Sequence, residues 1–209
     1  MTRSAIARIS PDDLRRGSEA FERGEGRGSM YRVATFLLRE WWGDYPKMAD
    51  ALSVLLLTWN WAFYRYGPFD QRRLERCLEH DWATIGAFHS REITSFDGQD
   101  HALLRNLFLR LLKALEISKG KKKGCKSPVA VAKALHLLAP AFLPPWDNAI
   151  AEAYGCSYSS NPDRAYLRFC EMMREEAVRL KSVGQSSVGK TLLKQIDEFN
   201  YAKYTKGWI

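Results

Sequence analysis

The segment from residue 127 to residue 155 holds the ionisable side chains whose types and spacing could do chemistry. Apolar residues at helical intervals predict a helix that carries Lys133 and His136 on one side. A proline-bounded loop follows, and Asp147 then precedes a short helix. A carboxylate at that position accepts unpaired N–H groups of the first helical turn, and the helix dipole keeps it ionised. The segment therefore offers an amine, an imidazole and a carboxylate as candidate functional groups.

Each of these residues also has a purely structural interpretation. An aspartate before a short helix is usually a helix cap, and Lys133 fits a partly exposed surface lysine. A single His136 is more often a hydrogen-bonded core or surface histidine than a functional group. The Pro144-Pro145-Trp146 run favours loop rigidity and core packing over a platform on which bases stack. Spacing alone leaves both interpretations open.

Helical periodicity dominates the elements that must position these groups. Apolar residues recur every three or four positions along most of the chain, and neither a convincing period-two alternation nor an internal repeat is seen. We therefore expect an all-α fold with about eight or nine helices. Residues 1–30, rich in Arg and Gly, are expected to form an N-terminal segment with one short helix capped by Ser10, and residues 31–209 a helical domain. Predicted apolar faces include Leu52, Leu55, Leu56, Trp59 and Phe63, then Leu103, Leu107, Leu111 and Leu115, then Tyr166, Phe169, Met173, Ala177 and Leu180.

The charge balance favours anionic partners, and nucleic acid first. Lysine and arginine number 32 against 24 acidic residues, which gives a formal net charge of +8. The excess of basic residues is densest in a run that contains no Asp or Glu. This run includes Lys121, Lys122, Lys123 and Lys126. Such a run either contacts a phosphate backbone or forms a solvated, flexible loop.

The cysteine and hydropathy patterns argue against a metal-binding, a secreted or a membrane-spanning protein. The four cysteines are widely spaced and form neither a C-x-x-C pair nor a cluster with histidine, so we expect a reducing compartment, no metal and no other cofactor. The apolar stretches are far shorter than a membrane-spanning helix requires, and the first ten residues lack the apolar region of a signal peptide. The sequence therefore predicts a soluble, intracellular protein, cytoplasmic or nucleoid-associated, which we expect to be monomeric and without a membrane partner.

Two stretches of the chain resemble the helix-hairpin-helix DNA glycosylase superfamily. Residues 118–156 follow the order of its catalytic half: a lysine-bearing helix, a turn ending in proline, an aspartate leading an isoleucine-containing helix, and a glycine. Residues 51–60 resemble its early buried helix, which ends in a polar residue, here Asn60. The family's hairpin normally has a Leu-Pro-Gly-Val-Gly turn, whereas residues 123–128 read Lys-Gly-Cys-Lys-Ser-Pro. The resemblance therefore implies a compact glycosylase-like fold with a divergent hairpin.

This resemblance implies roles for individual residues. Asp147 would stabilise the oxocarbenium-like sugar while the N-glycosidic bond breaks, and Lys133 would attack the anomeric carbon to give a Schiff base. The base would be extruded from the helix into a pocket. That pocket would be formed by Asn60, Trp61, His136 and Trp146. Contacts to the DNA backbone would come from Lys121, Lys122, Lys123, Gly124 and Lys126.

The implied function is a DNA glycosylase with lyase activity that removes a damaged or modified base from duplex DNA in base excision repair. Oxidised purines such as 8-oxoguanine are one candidate substrate class. Three alternatives stay open: a non-catalytic nucleic-acid-binding module, a glycosylase-like enzyme that modifies a base instead of excising it, and a helical protein whose basic surface binds an acidic protein. Base release, product mass and the salt dependence of DNA binding distinguish them.

Overall fold

Helices make up the architecture in the computed structural model, which describes residues 8–26, 28–183 and 190–209. In those ranges the chain forms eleven α-helices and no strand, which confirms the all-α prediction. A 3-10 turn, Ile93–Ser95, and a π-helical turn, Tyr201–Thr205, complete the regular structure. The helices are α1 (Pro11–Gly24), α2 (Gly28–Glu40), α3 (Tyr45–Trp59), α4 (Trp61–Tyr64), α5 (Gln71–His80), α6 (Trp82–His89), α7 (Asp100–Ala114), α8 (Pro128–Leu138), α9 (Asn148–Ala153), α10 (Pro162–Ser182) and α11 (Leu192–Asn200).

Two helices, α4 and α6, were not predicted from the periodicity, and each has a local cause. The predicted helix through Phe63 is interrupted at Asn60, which ends α3, and the short α4 begins at Trp61. Helix α6 has apolar residues on several sides and a glycine in its middle, so its sequence has no regular apolar stripe. Its burial of Ile85 and Phe88, rather than its periodicity, makes it part of the core.

Helix α8 lies at the centre of the fold and brings the candidate residues near one another. It packs against α2, α3 and α7, and residues 130–132 and 134–138 are all buried. Ser127 caps its first turn by accepting a hydrogen bond from the backbone N–H of Ala130 at 3.2 Å. Because nearly every side of α8 is covered, Lys133 is the one residue between 130 and 138 that stays half-exposed.

Helix α1 packs closely along α11, so the described part of residues 1–30 joins the core of the remaining chain. Leu14, Ala20 and Phe21 are all buried there. Ser10 forms the predicted cap, in a reciprocal capping box with Asp13. Residues 1–7 and Arg27 of the predicted N-terminal segment lie outside the described residues.

The contact between α1 and α11 leads to a stability prediction at Gly17. A Cβ atom at this position would lie 2.4 Å from the Cα atom of Phe199, so Gly17→Ala must push the two helices apart. We expect a loss of about 1–3 kcal/mol in the free energy of unfolding, measured by urea denaturation. Gly86→Ala in α6 is the matched control, because nothing lies within 4 Å of its added Cβ. That change should stabilise the protein by up to about 1 kcal/mol; equal effects at both positions would contradict the close packing.

Over the part of the chain that the structure describes, no helix has both the length and the apolar character needed to cross a membrane.

Candidate functional site

A cavity of about 360 Å³ has Lys133 and Asp147 in its wall. Its volume is within the range of small-molecule sites in proteins. Helices α1, α3, α8, α9 and α11 and the turn after α11 all contribute to it. The lining residues are Phe21, Glu25, Trp59, Asn60, Val129, Lys133, Pro145, Trp146, Asp147, Asn148, Ala149, Ile150, Asp197, Tyr201 and Thr205. The fold thus brings together two residues whose convergence the sequence had only suggested.

The amine of Lys133 lies at the C-terminal end of α3. It donates hydrogen bonds to the side-chain oxygen of Asn60 at 2.7 Å and to the backbone oxygen of Trp59 at 3.2 Å. It also lies 5.8 Å from the centre of the Trp59 ring. A cation at a helix C-terminus interacts favourably with the helix dipole, so Lys133 stabilises the end of α3 as well as facing the cavity.

Both carboxylate oxygens of Asp147 accept hydrogen bonds. Oδ1 accepts from the backbone N–H of Ile150 at 2.9 Å, which makes Asp147 the cap of α9. Oδ2 accepts from the hydroxyl of Thr205 at 2.6 Å. The two bonds hold the carboxylate in one orientation at the wall of the cavity, a geometry that suits a preorganised negative charge.

Aromatic and acidic residues from distant parts of the chain form the rest of the wall. Asp197 of α11 lines the cavity and accepts a hydrogen bond at 2.8 Å from Lys194, which is only 4% exposed. The Lys194 amine lies 4.4 Å from the ring centre of Phe21 and 5.4 Å from that of Trp59. These contacts join α1, α3 and α11 around the cavity and fix the position of its aromatic side.

Several lining residues were missed by sequence reasoning, and those most distant in the chain are Phe21, Glu25, Asp197 and Thr205. They lie in α1, in α11 and just beyond each, far in sequence from Lys133 and Asp147. The one signal in the sequence that indicates this part of the wall is the C-terminal tail, which is aromatic and basic. Tyr201 from that tail does line the cavity, whereas Trp208 packs beside Gly24.

The residues predicted to form a base pocket are only partly brought together. Asn60 lines the cavity and is 8% exposed. Trp146 belongs to the wall, but its side chain is packed in the core against Tyr158 and Phe169. Trp61 is 56% exposed and lies outside the set of lining residues, as does His136.

His136 is a hydrogen-bonded core residue. Its Nδ1–H donates to the backbone oxygen of Leu143 at 2.9 Å, because a carbonyl can only accept, and its Nε2 accepts from the hydroxyl of Tyr31 at 3.0 Å. Both ring nitrogens are thus satisfied in the neutral form. Complete burial lowers the pKa of His136 to about 4.

This buried histidine predicts a pH dependence of stability. In the unfolded chain the imidazole takes up a proton below its usual pKa of 6.5, whereas in the folded protein it does so only near a pKa of about 4. Its stabilising contribution is therefore present above pH 6.5 and is lost as the pH falls towards 4. The loss amounts to about 3 kcal/mol.

Urea denaturation at several pH values measures this effect, with His136→Gln as the comparison. Between pH 6.5 and about pH 4, the free energy of unfolding of the wild type should fall by about 3 kcal/mol more than that of the variant. Identical pH profiles for the two proteins would contradict the neutral buried imidazole.

The lysine run forms a closed loop between α7 and α8. The N–H of Gly124 donates to the oxygen of Ile117 at 2.8 Å, and the N–H of Ile117 donates to the oxygen of Cys125 at 2.9 Å. Gly124 has φ +85°, a conformation that favours glycine. The whole stretch 119–126 is exposed, so the side chains of Lys121, Lys122, Lys123 and Lys126 face solvent.

Within the described ranges, no three His, Cys, Asp or Glu side chains form a group that could hold a metal ion.

Comparison with known proteins adds no family assignment. The chain matches no family model, no curated protein and no solved structure at a significant level. The resemblance to the glycosylase superfamily stays a prediction from the sequence.

Proposed function

We propose that this protein is a DNA glycosylase with lyase activity, in which Lys133 and Asp147 act on the sugar of a nucleotide extruded into the cavity. One observation carries the proposal: the amine and the carboxylate both line a cavity of about 360 Å³. Aromatic Phe21, Trp59 and Tyr201 line it as well. Apolar walls with a few polar groups are typical of sites that bind small molecules.

Asp147 supports the first half of the reaction. When the bond between C1′ and the base nitrogen breaks, the base leaves with the electron pair and the sugar becomes positively charged. A fixed carboxylate stabilises that charge more than it stabilises the neutral substrate. Glu25 in the same wall, which accepts a hydrogen bond from the hydroxyl of Tyr201, adds to the negative potential.

Lys133 supports the second half. Its amine would release its contacts with Asn60 and Trp59, lose a proton, and form a bond to C1′ through Nζ. Opening of the sugar ring then gives a Schiff base. Loss of a proton from C2′ to water forms a C2′–C3′ double bond, and the 3′ phosphate leaves with the electron pair of the C3′–O bond. This sequence needs no cofactor, since the lysine supplies the nucleophile and the departing base accepts a proton.

The exposed lysine loop provides the affinity for DNA in this proposal. Its side chains lie outside the cavity and would neutralise backbone phosphates without reading the base sequence. Binding should therefore weaken steeply as the salt concentration rises. Replacing one lysine of the loop would reduce the slope of log affinity against log salt concentration by about one, the value for one lost phosphate contact.

A non-catalytic nucleic-acid-binding module is the second candidate. One observation favours it: Lys133 already stabilises the end of α3, and Asp147 already caps α9. In that case the loop would bind the backbone and the cavity would hold a base without cleaving the glycosidic bond.

A panel of oligonucleotides that each carry one damaged or modified base, offered both as duplexes and as single strands, tests the proposal. Base loss is scored by alkali cleavage, strand cleavage is scored without alkali, and borohydride is added to trap a Schiff base. We expect a trapped complex with at least one substrate and none with Lys133→Gln, because glutamine lacks a nucleophilic amine. DNA binding without base loss across the panel would support the binding module instead, and a base of altered mass would support a modifying enzyme.

A further inference from the structure

Four side chains outside the cavity form a continuous row of alternating aromatic and cationic groups on the surface. The guanidinium carbon of Arg65 lies 5.8 Å from the centre of the Trp61 ring and 4.7 Å from that of the Tyr66 ring. The amine of Lys122 lies 5.9 Å from the centre of the Tyr66 ring. Trp61 is 56% exposed and Tyr66 is 46% exposed. We call Trp61, Arg65, Tyr66 and Lys122 the cation–aromatic row.

One end of the row lies next to the end of α3, and the other end lies in the lysine loop. Trp61 directly follows Asn60, which lines the cavity and holds Lys133. At the other end, Lys122 belongs to the exposed loop 119–126.

Backbone contacts fix the loop against the turn that carries Tyr66. The N–H and the hydroxyl of Ser118 both donate to the backbone oxygen of Pro68, at 2.9 Å and 2.8 Å. Gly67 has φ +145°, and a Cβ there would lie 2.6 Å from the backbone oxygen of Lys119. The lysine loop and the turn that carries Tyr66 are thus held in a defined relative position.

Large exposed aromatic rings next to cations suit a particular partner. Every nucleobase has a flat face that stacks on an aromatic ring, and every nucleotide brings a phosphate that pairs with Arg or Lys. An acidic protein would pair with the cations, but it has no general use for two exposed rings. Exposed aromatic groups interleaved with positive charge therefore favour unpaired nucleotides over an acidic protein.

We propose that the cation–aromatic row binds the unpaired nucleotides next to the one in the cavity, and so gives the protein a preference for single-stranded nucleic acid. Trp61 and Tyr66 are the stacking rings, and Arg65 and Lys122 contact the phosphates. The position of these nucleotides relative to the cavity rests on the proposed function. The affinity of the row for a single strand does not.

Fluorescence anisotropy with a labelled oligothymidine of about 12 nucleotides tests this surface. We expect Trp61→Ala and Tyr66→Ala each to weaken binding by about tenfold. Phe36→Ala is the matched control, because Phe36 is 52% exposed and has its own cation, Arg39, 5.3 Å from its ring centre in α2. It should bind the oligonucleotide like the wild type. Thermal unfolding of each variant verifies that the fold is intact.

Salt titration separates stacking from charge. Trp61→Ala should leave the slope of log affinity against log salt concentration unchanged. Lys122→Gln should reduce that slope by about one, because one phosphate contact is lost. A duplex of the same length should bind the wild type more weakly than the single strand.

Three results would overturn the proposal: wild-type affinity in both aromatic variants, tighter binding of the duplex, or equally tight binding of a polyglutamate peptide of matched charge. These outcomes are distinct from failure of the glycosylase. If the protein releases a base and the aromatic variants bind the single strand like the wild type, the proposed role of the row is wrong and the glycosylase proposal stands. If the aromatic variants lose single-strand binding and no substrate loses its base, the role of the row stands and the glycosylase proposal is wrong.

Discussion

Asp147→Asn should slow base release by on the order of 10³-fold, because it removes one preorganised charge from the developing cationic sugar. The change is nearly isosteric, and asparagine caps a helix about as well as aspartate does. Its side-chain oxygen can still accept the N–H of Ile150, and the Thr205 hydroxyl can accept from the new amide. A loss of activity would therefore reflect the charge and not the fold. Single-turnover kinetics with a substrate identified in the panel measure it.

A second capping aspartate provides the control. Asp70 accepts a hydrogen bond from the backbone N–H of Arg73 at the start of α5 and does not line the cavity. Asp70→Asn should leave the rate of base release unchanged. Wild-type activity in Asp147→Asn, or equal losses in both variants, would show that the Asp147 charge does not take part in catalysis.

Replacing Lys194 with methionine should destabilise the protein by about 3–5 kcal/mol. Lys194 is 4% exposed, and its amine contacts the carboxylates of Asp197 at 2.8 Å and Glu198 at 3.8 Å, which are themselves buried. Without the lysine, two negative charges stay in the interior with reduced compensation. The aromatic faces of Phe21, Tyr31 and Trp59 lose their cation as well. Chemical denaturation measures the difference in the free energy of unfolding.

Surface and double variants show whether the loss comes from buried charge. Lys47→Met removes an exposed partner of Asp44 and should cost less than about 1 kcal/mol. Adding Asp197→Asn to Lys194→Met removes one of the stranded charges and should restore part of the stability. Equal effects of Lys47→Met and Lys194→Met would contradict a buried charge cluster in the folded protein.

Much of the helical architecture is encoded locally and was predictable. Apolar residues at intervals of three and four marked α3, α7 and α10, and the polar residues Ser10 and Asp147 cap helices as expected. Helix α6 escaped prediction because its residues are apolar on several sides. In such a segment burial stabilises the helix, and burial depends on neighbours that the local sequence does not specify.

The order of residues along the chain by itself determined the all-α class, the main helices and their caps, and it singled out Lys133, Asp147 and Asn60. Only the tertiary structure decided that these three residues share a cavity with Phe21, Asp197 and Thr205, because α1 and α11 close over α3 and α8 from opposite ends of the chain. It also decided that His136 is a core residue and that Trp61 is a surface residue. The physical reason is that caps and periodicity arise from contacts within a few residues, whereas burial and cavity walls arise from packing between helices far apart in sequence.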